Sequence, residues 1–419
     1  MPFPEPTGPI EPIGPENAAA ERWLSIVGIG EDGVDGLTPA ARRLVEAAEI
    51  VFGGQRHLRL AAPLVRGTAR PWPTPFDAGA VLAHAGRRVC VLASGDPFCF
   101  GVGTVLARHV PPGEMTVMPA PSAFSLAAAR LGWSLPDAVP VSLHARPLDL
   151  IRPHLQPRAR LLVLTSDGEA PATIARFIAE AGFGASRLVV LEALGGPREK
   201  IRETTAERCA LGQIDALNTV AVELVASPDA RIIPLTPGLP DSWFEHDGQL
   251  TKREIRAVTL SALAPRHGEL LWDIGAGAGS VGIEWMLADP SLRAIAVEAR
   301  PDRAARIRRN AAALGVPGLA VVEGTAPATL QGLAPPQAIF VGGGASDPGV
   351  LDAVVAALGP GGRLVANAIT LETEALLLAR HAVLGGDLVR IAVTRAVRVA
   401  TMTGWRPAMP VTQWAWSKP

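Results

Sequence analysis

From Leu24 onward, short continuously apolar runs alternate with stretches whose apolar residues recur at helical spacing. The runs "LSIVGIG", "RRVCVLASGDP" and "ARLLVLTSDGE" read as buried strands, each ending in a small, polar, glycine-containing loop. "TPAARRLVEAAEI" reads as a helix with Thr38 as N-cap and Pro39 at the first helical position, where a missing N–H costs nothing. Strands that alternate with helices in this way make a mostly parallel α/β sheet. A break follows at 225–249, "VASPDARIIPLTPGLPDSWFEHDGQ", where prolines and turn residues replace the periodicity. The alternation then restarts, with "ELLWDIG", "RAIAVEA", "LAVVEG", "QAIFVGGG" and "GGRLVANA" as strands and "PDRAARIRRNAAALG" as a helix between them. The expected organisation is a proline- and glycine-rich disordered tail at 1–21, an α/β domain at 22–228, a linker at 229–240 and a second α/β domain at 241–419.

Composition narrows this little but excludes several classes. A chain of 419 residues with 48% hydrophobic residues has material for two packed cores. Its 39 basic and 40 acidic residues leave a net charge of −1, which argues against broad nucleic-acid or membrane-surface binding. Cys90, Cys99 and Cys209 have no CxxC spacing and suit a reducing cytoplasm. The N-terminus lacks the basic and apolar regions of a signal peptide, and no apolar run is long enough to span a bilayer. The eight histidines form no HxxH or HxxxH pair, so no metal site is expected.

The chemistry gathers at "LLWDIGAGAGSVGIEWML". Gly277, Gly279 and Gly282 satisfy GxGxxG, a weak dinucleotide signal when it stands alone. Asp273 closes the strand two positions before Gly275, where its carboxylate is expected to face the ligand. It would repel a pyrophosphate and attract the α-ammonium of a methionine moiety. Glu298 closes the next strand, where an acid would accept hydrogen bonds from a ribose diol. A sulfonium methyl donor is thereby favoured, with a nicotinamide dinucleotide and a ligand-free tight turn as the alternatives. The chain has no tyrosine, and its fourth strand ends in Gly342, Gly343 and Gly344 rather than in an amine-clamping motif. Those glycines read either as a shelf for a large planar acceptor or as a close backbone contact.

At this point the residues resemble a known family. "GLPDSWFEHDGQLTKREIRAVTLSAL", "DIGAGAGSVGIEW", "VEGTAPATL", "IFVGGG" and "GGRLVANAITLET" are similar to the C-terminal half of the decarboxylating precorrin-6Y C5,15-methyltransferase family of cobalamin biosynthesis. "IVGIGEDGVDGLTPAA", "VFGGQRHL", "LASGDPFCFGVG", "PAPSAFSLAAARLGW" and "VSLHARP" resemble its tetrapyrrole-methylase half. The resemblance implies two α/β subdomains at the N-terminus followed by a Rossmann-like methyltransferase domain. It implies S-adenosylmethionine as the cofactor, one molecule per domain, an acidic tetrapyrrole as substrate and a homo-oligomer formed through the C-terminal domain. Carried over, the C-terminal cofactor site comprises Thr251, Asp273, Gly275, Ala276, Gly277, Ala278, Gly279, Glu298 and Ala326; the N-terminal one comprises Gly28, Gly30, Gly95, Asp96 and Pro97. One departure stands out: the family's first loop has a proline after Gly-x-Gly, whereas this chain reads "GIGEDG".

A polycarboxylated substrate calls for cations near the loops. Arg56, His57, His144 and Arg146 are candidates in the first half, and His246, Lys252 and Arg253 in the second, although a solvated surface charge is the more usual role of each. The arginines of "RPDRAARIRRN" read as an exposed helix face. Trp405, Trp414 and Trp416 could line a macrocycle pocket, pack into a core or sit at a subunit interface, and Trp243 and Phe244 could form a lid. No side-chain constellation marks a general acid or base. The competing functions are an NAD-dependent oxidoreductase built on the second loop and a carrier that binds without turnover.

Overall fold

The computed structural model describes residues 22–419, so the tail expected at 1–21 lies outside the described residues. The chain forms two compact units: one reaches to Leu148 and includes His154–Arg231, and the other comprises Asp149–Pro153 and Ile232–Pro419.

The first unit holds two five-stranded sheets. Strands β1 (Leu24–Ile29), β2 (Ile50–Gly53), β3 (Thr68–Pro71), β4 (Val89–Ser94) and β5 (Met115–Met118) lie in the order β3-β2-β4-β1-β5, all parallel. The expected helix runs Pro39–Ala47, its first turn capped by Thr38 Oγ1, which accepts from Ala41 N at 3.2 Å. It buries Ala41 and Val45 against the sheet core, as its apolar spacing requires.

The second sheet departs from the parallel expectation. It contains β6 (Ala138–Ser142), β7 (Arg160–Leu164), β8 (Arg187–Glu192), β9 (Lys200–Thr205) and β10 (Asn218–Glu223), ordered β6-β7-β10-β8-β9. Only β6 and β7 run parallel; β10 is antiparallel to both neighbours, and β9 folds back on β8. Val220 stands opposite Val163 on one side and Val190 on the other, so "NTVAVE" is covered by strands at both edges. An apolar run of this length suits a buried strand of either direction, and direction is what the pattern does not carry.

In the second unit the five expected strands are present as β11 (Leu270–Ile274), β12 (Arg293–Glu298), β13 (Ala320–Glu323), β14 (Ala338–Val341) and β15 (Arg363–Ala368). Beyond them come β16 (Asp387–Ile391), β17 (Thr394–Val399), β18 (Met402–Pro407) and β19 (Val411–Ser417). The sheet order is β13-β12-β11-β14-β15-β19-β16, with β19 antiparallel to both β15 and β16, while β17 and β18 pair apart as a ribbon. Trp414 and Trp416 sit on β19 in the core, their indoles donating to Gly385 O and Leu384 O. They are core residues, and Trp405 on the ribbon is 76% exposed. Phe244 is buried beneath the Arg256 guanidinium, 4.8 Å from its ring centroid, so it packs the core and is not a lid. Within the stretch expected to link the domains, Ile233 and Leu239 are buried in this unit's core. Among the described residues no helix is long and apolar enough to cross a membrane.

Candidate functional site

In the second unit, β11 ends at Ile274, and a turn of five residues leads into the helix Ser280–Ala288. Gly275, Gly277 and Gly279 have φ of +65°, +61° and +76°, a region that L side chains rarely enter. Space reinforces the requirement: a Cβ on Gly275 would lie 2.6 Å from the Gly343 carbonyl oxygen. One on Gly279 would lie 2.7 Å from Ile307 Cγ2. The glycines after β14 are therefore a close backbone contact, and they also line the cavity that opens above the turn.

That cavity measures about 530 Å3, and Gly275, Ala276, Gly277, Glu298, Ala326, Thr251 and Lys252 all line it. Glu298 ends β12 with its carboxylate already positioned: Oε2 accepts from Gly277 N at 2.8 Å and Oε1 from Arg300 N at 3.0 Å. Each oxygen keeps a further lone pair, as a ribose diol requires. A turn of bare backbone with an acid at its rim fits an adenosine-bearing ligand.

Other expected residues lie elsewhere. Asp273 does not face the cavity; it is 1% exposed, and its Oδ2 accepts from Gly282 N at 3.0 Å, bracing the helix start. Its Oδ1 is buried without a hydrogen bond. Ala278 is buried, its carbonyl accepting from Asn310 Nδ2, and Gly279 caps the helix without lining the cavity. His246 accepts from Gly248 N through Nδ1, Arg253 lies beside Gly238, and neither lines the cavity. On the arginine-rich helix Pro301–Ala313, Arg303 and Arg306 are only 20% and 16% exposed and share Asp247, so the face is not wholly solvated. Asp247 is thereby held well below the usual carboxylate range.

Burial, with the Glu298 charge adding to it against the Gly282 hydrogen bond, pushes the Asp273 carboxyl up to about 7. An acid whose pKa rises on folding binds its proton more tightly in the folded state. Its ionisation therefore counts against folding, from the unfolded value near pH 4 upward, with the full cost reached above about 7. Asp273→Asn is expected to gain thermal stability relative to the parent as pH rises from about 4 to 7, and to hold that margin above it. Melting curves across that range check this; a margin independent of pH would contradict it.

Several cavity residues escaped the sequence reading, Arg303, Arg395 and Asn367 among them. Arg303 and Arg395 both line it, Arg395 paired with Glu254. Asn367 lines it too, its Nδ2 donating to Thr259 Oγ1 at 3.0 Å and its Oδ1 accepting from Gln413 Nε2 at 2.9 Å. A lone asparagine inside the apolar "GGRLVANA" was the available signal.

The first unit has its own cavity, of about 770 Å3, lined by Gly30, Gly95, Arg56, His57, His144 and Arg146. Gly28 lies beneath it, where a Cβ would fall 1.9 Å from Gly95 O, so the end of β1 and the loop after β4 touch through bare backbone. Asp96 and Pro97 do not line it; they brace the second loop, Asp96 Oδ1 accepting from Phe98 N and Pro97 O from Gly103 N. The departure in "GIGEDG" gains a role here: Glu31 pairs with Arg56 and, at 3.1 Å, with Arg198. Arg56 also donates to Ser94 Oγ at 2.8 Å. His57 is no cation, because burial, with Arg56 beside it, pulls its pKa down to about 4. His144 Nδ1 sits 3.2 Å from Thr165 O, a partner that can only accept, so Nδ1 is the donor in that contact. The Arg146 guanidinium lies 5.7 Å from the Phe100 ring centroid.

A Rossmann-like sheet closed by an antiparallel β19, with a glycine turn after β11 and an acid ending β12, defines a nucleotide-binding methyltransferase domain. Residues 242–418 match the protein-family model described as "Precorrin methyltransferase domain". Residues 24–210 match that described as "Tetrapyrrole (Corrin/Porphyrin) Methylases". The chain is 58% identical to the precorrin-6Y C(5,15)-methyltransferase [decarboxylating] of a Sinorhizobium species, covering 96% of this chain and 98% of that one. Two shorter relatives each align with less than half of it. A probable cobalt-precorrin-6B C(15)-methyltransferase (decarboxylating) of Pyrobaculum calidifontis is 35% identical over 43% of this chain and 97% of its own. The cobalt-precorrin-7 C(5)-methyltransferase of Salmonella typhimurium is 31% identical over 42% of this chain and 88% of its own. The chain belongs to the decarboxylating precorrin-6Y C5,15-methyltransferase family of cobalamin biosynthesis.

Proposed function

We propose that this chain methylates C5 and C15 of precorrin-6B and removes the C12 acetate carboxylate as carbon dioxide, giving precorrin-8X. The first unit acts at C5; the second decarboxylates and acts at C15. Each unit binds its own S-adenosylmethionine, and copies of the chain associate through the second unit. The observation that carries the reading is the pair of cavities, one in each unit, each built on glycines that bring bare backbone to its wall.

When bound, S-adenosylmethionine supplies an electrophilic methyl group. In the second unit Glu298 would take the ribose hydroxyls, Thr251 and Ala326 would flank the ligand, and the Gly275–Gly277 backbone would approach it. In the first, Gly30 and Gly95 shape the wall. The acceptor carbons of a reduced tetrapyrrole are enamine-like and already nucleophilic, so the chain's principal task is alignment. Well-oriented reactants gain on the order of 7–11 kcal/mol over free encounter. Decarboxylation breaks the bond between the carboxylate and its methylene; the electron pair passes into the conjugated macrocycle and a proton restores the methyl. Neither step calls for a strong protein base.

The direct test incubates the protein with precorrin-6B and S-adenosylmethionine and weighs the tetrapyrrole. A gain of two methyl groups with loss of carbon dioxide supports both assignments. An unchanged tetrapyrrole, with the methyl donor shown to be bound, overturns the substrate assignment and favours a carrier.

A further inference from the structure

The ribbon β17–β18 places two arginines directly opposite each other. Arg395 and Arg406 are register partners, and Cβ atoms of such partners stand roughly 4.5–5.5 Å apart on one face. Like charges in that position weaken a two-stranded ribbon unless something of opposite sign joins them. Glu254 pairs with Arg395. Among the described residues the Arg406 side chain has no hydrogen bond or ion pair, and the residue is exposed. Arg395 lines the cavity of the second unit; Arg406, opposite it on the same ribbon face, lies just outside that lining. At the base of the ribbon the wall is apolar: Val393, Ala408 and Met409 line the same cavity, Ala408 N donating to Val393 O at 2.9 Å.

An apolar floor bordered by Arg395, with Arg406 opposite it on the same ribbon face, suits a flat ring bearing a carboxylate arm. Guanidinium forks bind carboxylates through paired, charge-assisted hydrogen bonds, and two forks across one ribbon can grip a single carboxylate. We propose that Arg395 and Arg406 form a clamp for one carboxylate side chain of the tetrapyrrole, a site that rests on the substrate class proposed above. The clamped carboxylate is one that stays on the product. An ion pair to the departing one would stabilise the ground state and hold back the loss of carbon dioxide. The clamp therefore acts on binding and not on the chemical step.

The test uses the full chain and three variants, Arg406→Gln, Arg406→Glu and Arg406→Lys. Carbon dioxide release reports the second unit's reaction on precorrin-6B, and an octacarboxylic porphyrin, followed by its fluorescence anisotropy, reports binding without turnover. Arg406→Gln is expected to raise KM for the tetrapyrrole about tenfold, and Arg406→Glu by roughly a further tenfold, with kcat and S-adenosylmethionine affinity unchanged. Arg406→Lys keeps most of the affinity, and added salt raises KM less in the Gln variant than in the parent. The porphyrin loses affinity in the same order. Unchanged KM and porphyrin affinity in both the Gln and Glu variants overturn the clamp, as does a KM rise matched by lost methyl-donor binding. Porphyrin binding that depends on Arg406, in a protein that leaves precorrin-6B unchanged, keeps the clamp and overturns the proposed reaction. A parent chain that neither binds the porphyrin nor converts precorrin-6B overturns both.

Discussion

Arg256→Ala is expected to destabilise the second unit by about 3–5 kcal/mol, the usual cost of stranding one partner of a buried ion pair. Arg256 is fully buried and Glu284 is 2% exposed; Arg256 Nε donates to Glu284 Oε1 at 2.5 Å. Glu284 also accepts from Gly238 N and Leu239 N, at 2.6 and 2.9 Å, so removing the arginine leaves an uncompensated carboxylate tied to a core segment. For a unit of this size each kcal/mol moves the midpoint by roughly 2–4 °C, so melting should shift by about 6–20 °C. The effect reaches the cavity as well. Arg256 Nη1 donates to the Thr251 carbonyl at 2.5 Å, and Thr251 lines the cavity, so methyl-donor affinity falls with stability. Arg256→Met combined with Glu284→Leu should recover only part of the stability, because it removes the orphaned charge but strands the buried Gly238 and Leu239 N–H groups. A shift below about 1 kcal/mol for the single variant would show that water reaches Glu284.

Gly275→Ala has the other large effect, on binding more than on folding. At φ +65° the added Cβ costs about 1–2 kcal/mol in backbone strain, and it also meets the Gly343 backbone at 2.6–2.8 Å. Neither side can yield, because both are main chain packed at the ends of adjacent strands β11 and β14. The turn must move away from the shelf, and it carries Gly277, whose N–H holds Glu298. Methyl-donor affinity at the second unit is expected to fall at least a hundredfold, about 2.7 kcal/mol. On the proposed division of labour between the units, the product mass should then show one methyl where the parent adds two, since the first unit has a cavity of its own. Isothermal titration with S-adenosylmethionine on the variant and the parent reads this directly; an unchanged second site would mean the turn is not the donor's cradle.

Local chemistry made much of this molecule legible before any coordinates. Thr38 and Pro39 mark a helix start because a cap and a missing N–H act within one turn. The strands β11 to β15 announce themselves because apolar runs bounded by glycine loops have few other uses. Glu298 could be placed at the cavity because it closes a strand, and strand ends in parallel sheets gather at one edge. Gly275 and Gly277 could be placed because backbone conformation is a local property.

Side-chain destinations were not legible in the same way. Asp273 was expected at the ligand from its position in the strand, but a strand alternates its side chains, and the structure turns this one inward beneath the helix Ser280–Ala288. His57 looks like a cation in a sequence; whether it holds a proton depends on burial and on Arg56, which arrive only when the chain has folded. The direction of β10, the burial of Arg256 against Glu284, and the meeting of Arg395 with Arg406 follow from pairings between positions far apart in the chain or across a ribbon's register. Periodicity and capping report on a residue's own neighbours. Register, desolvation and charge pairing report on residues that the chain brings together only on folding.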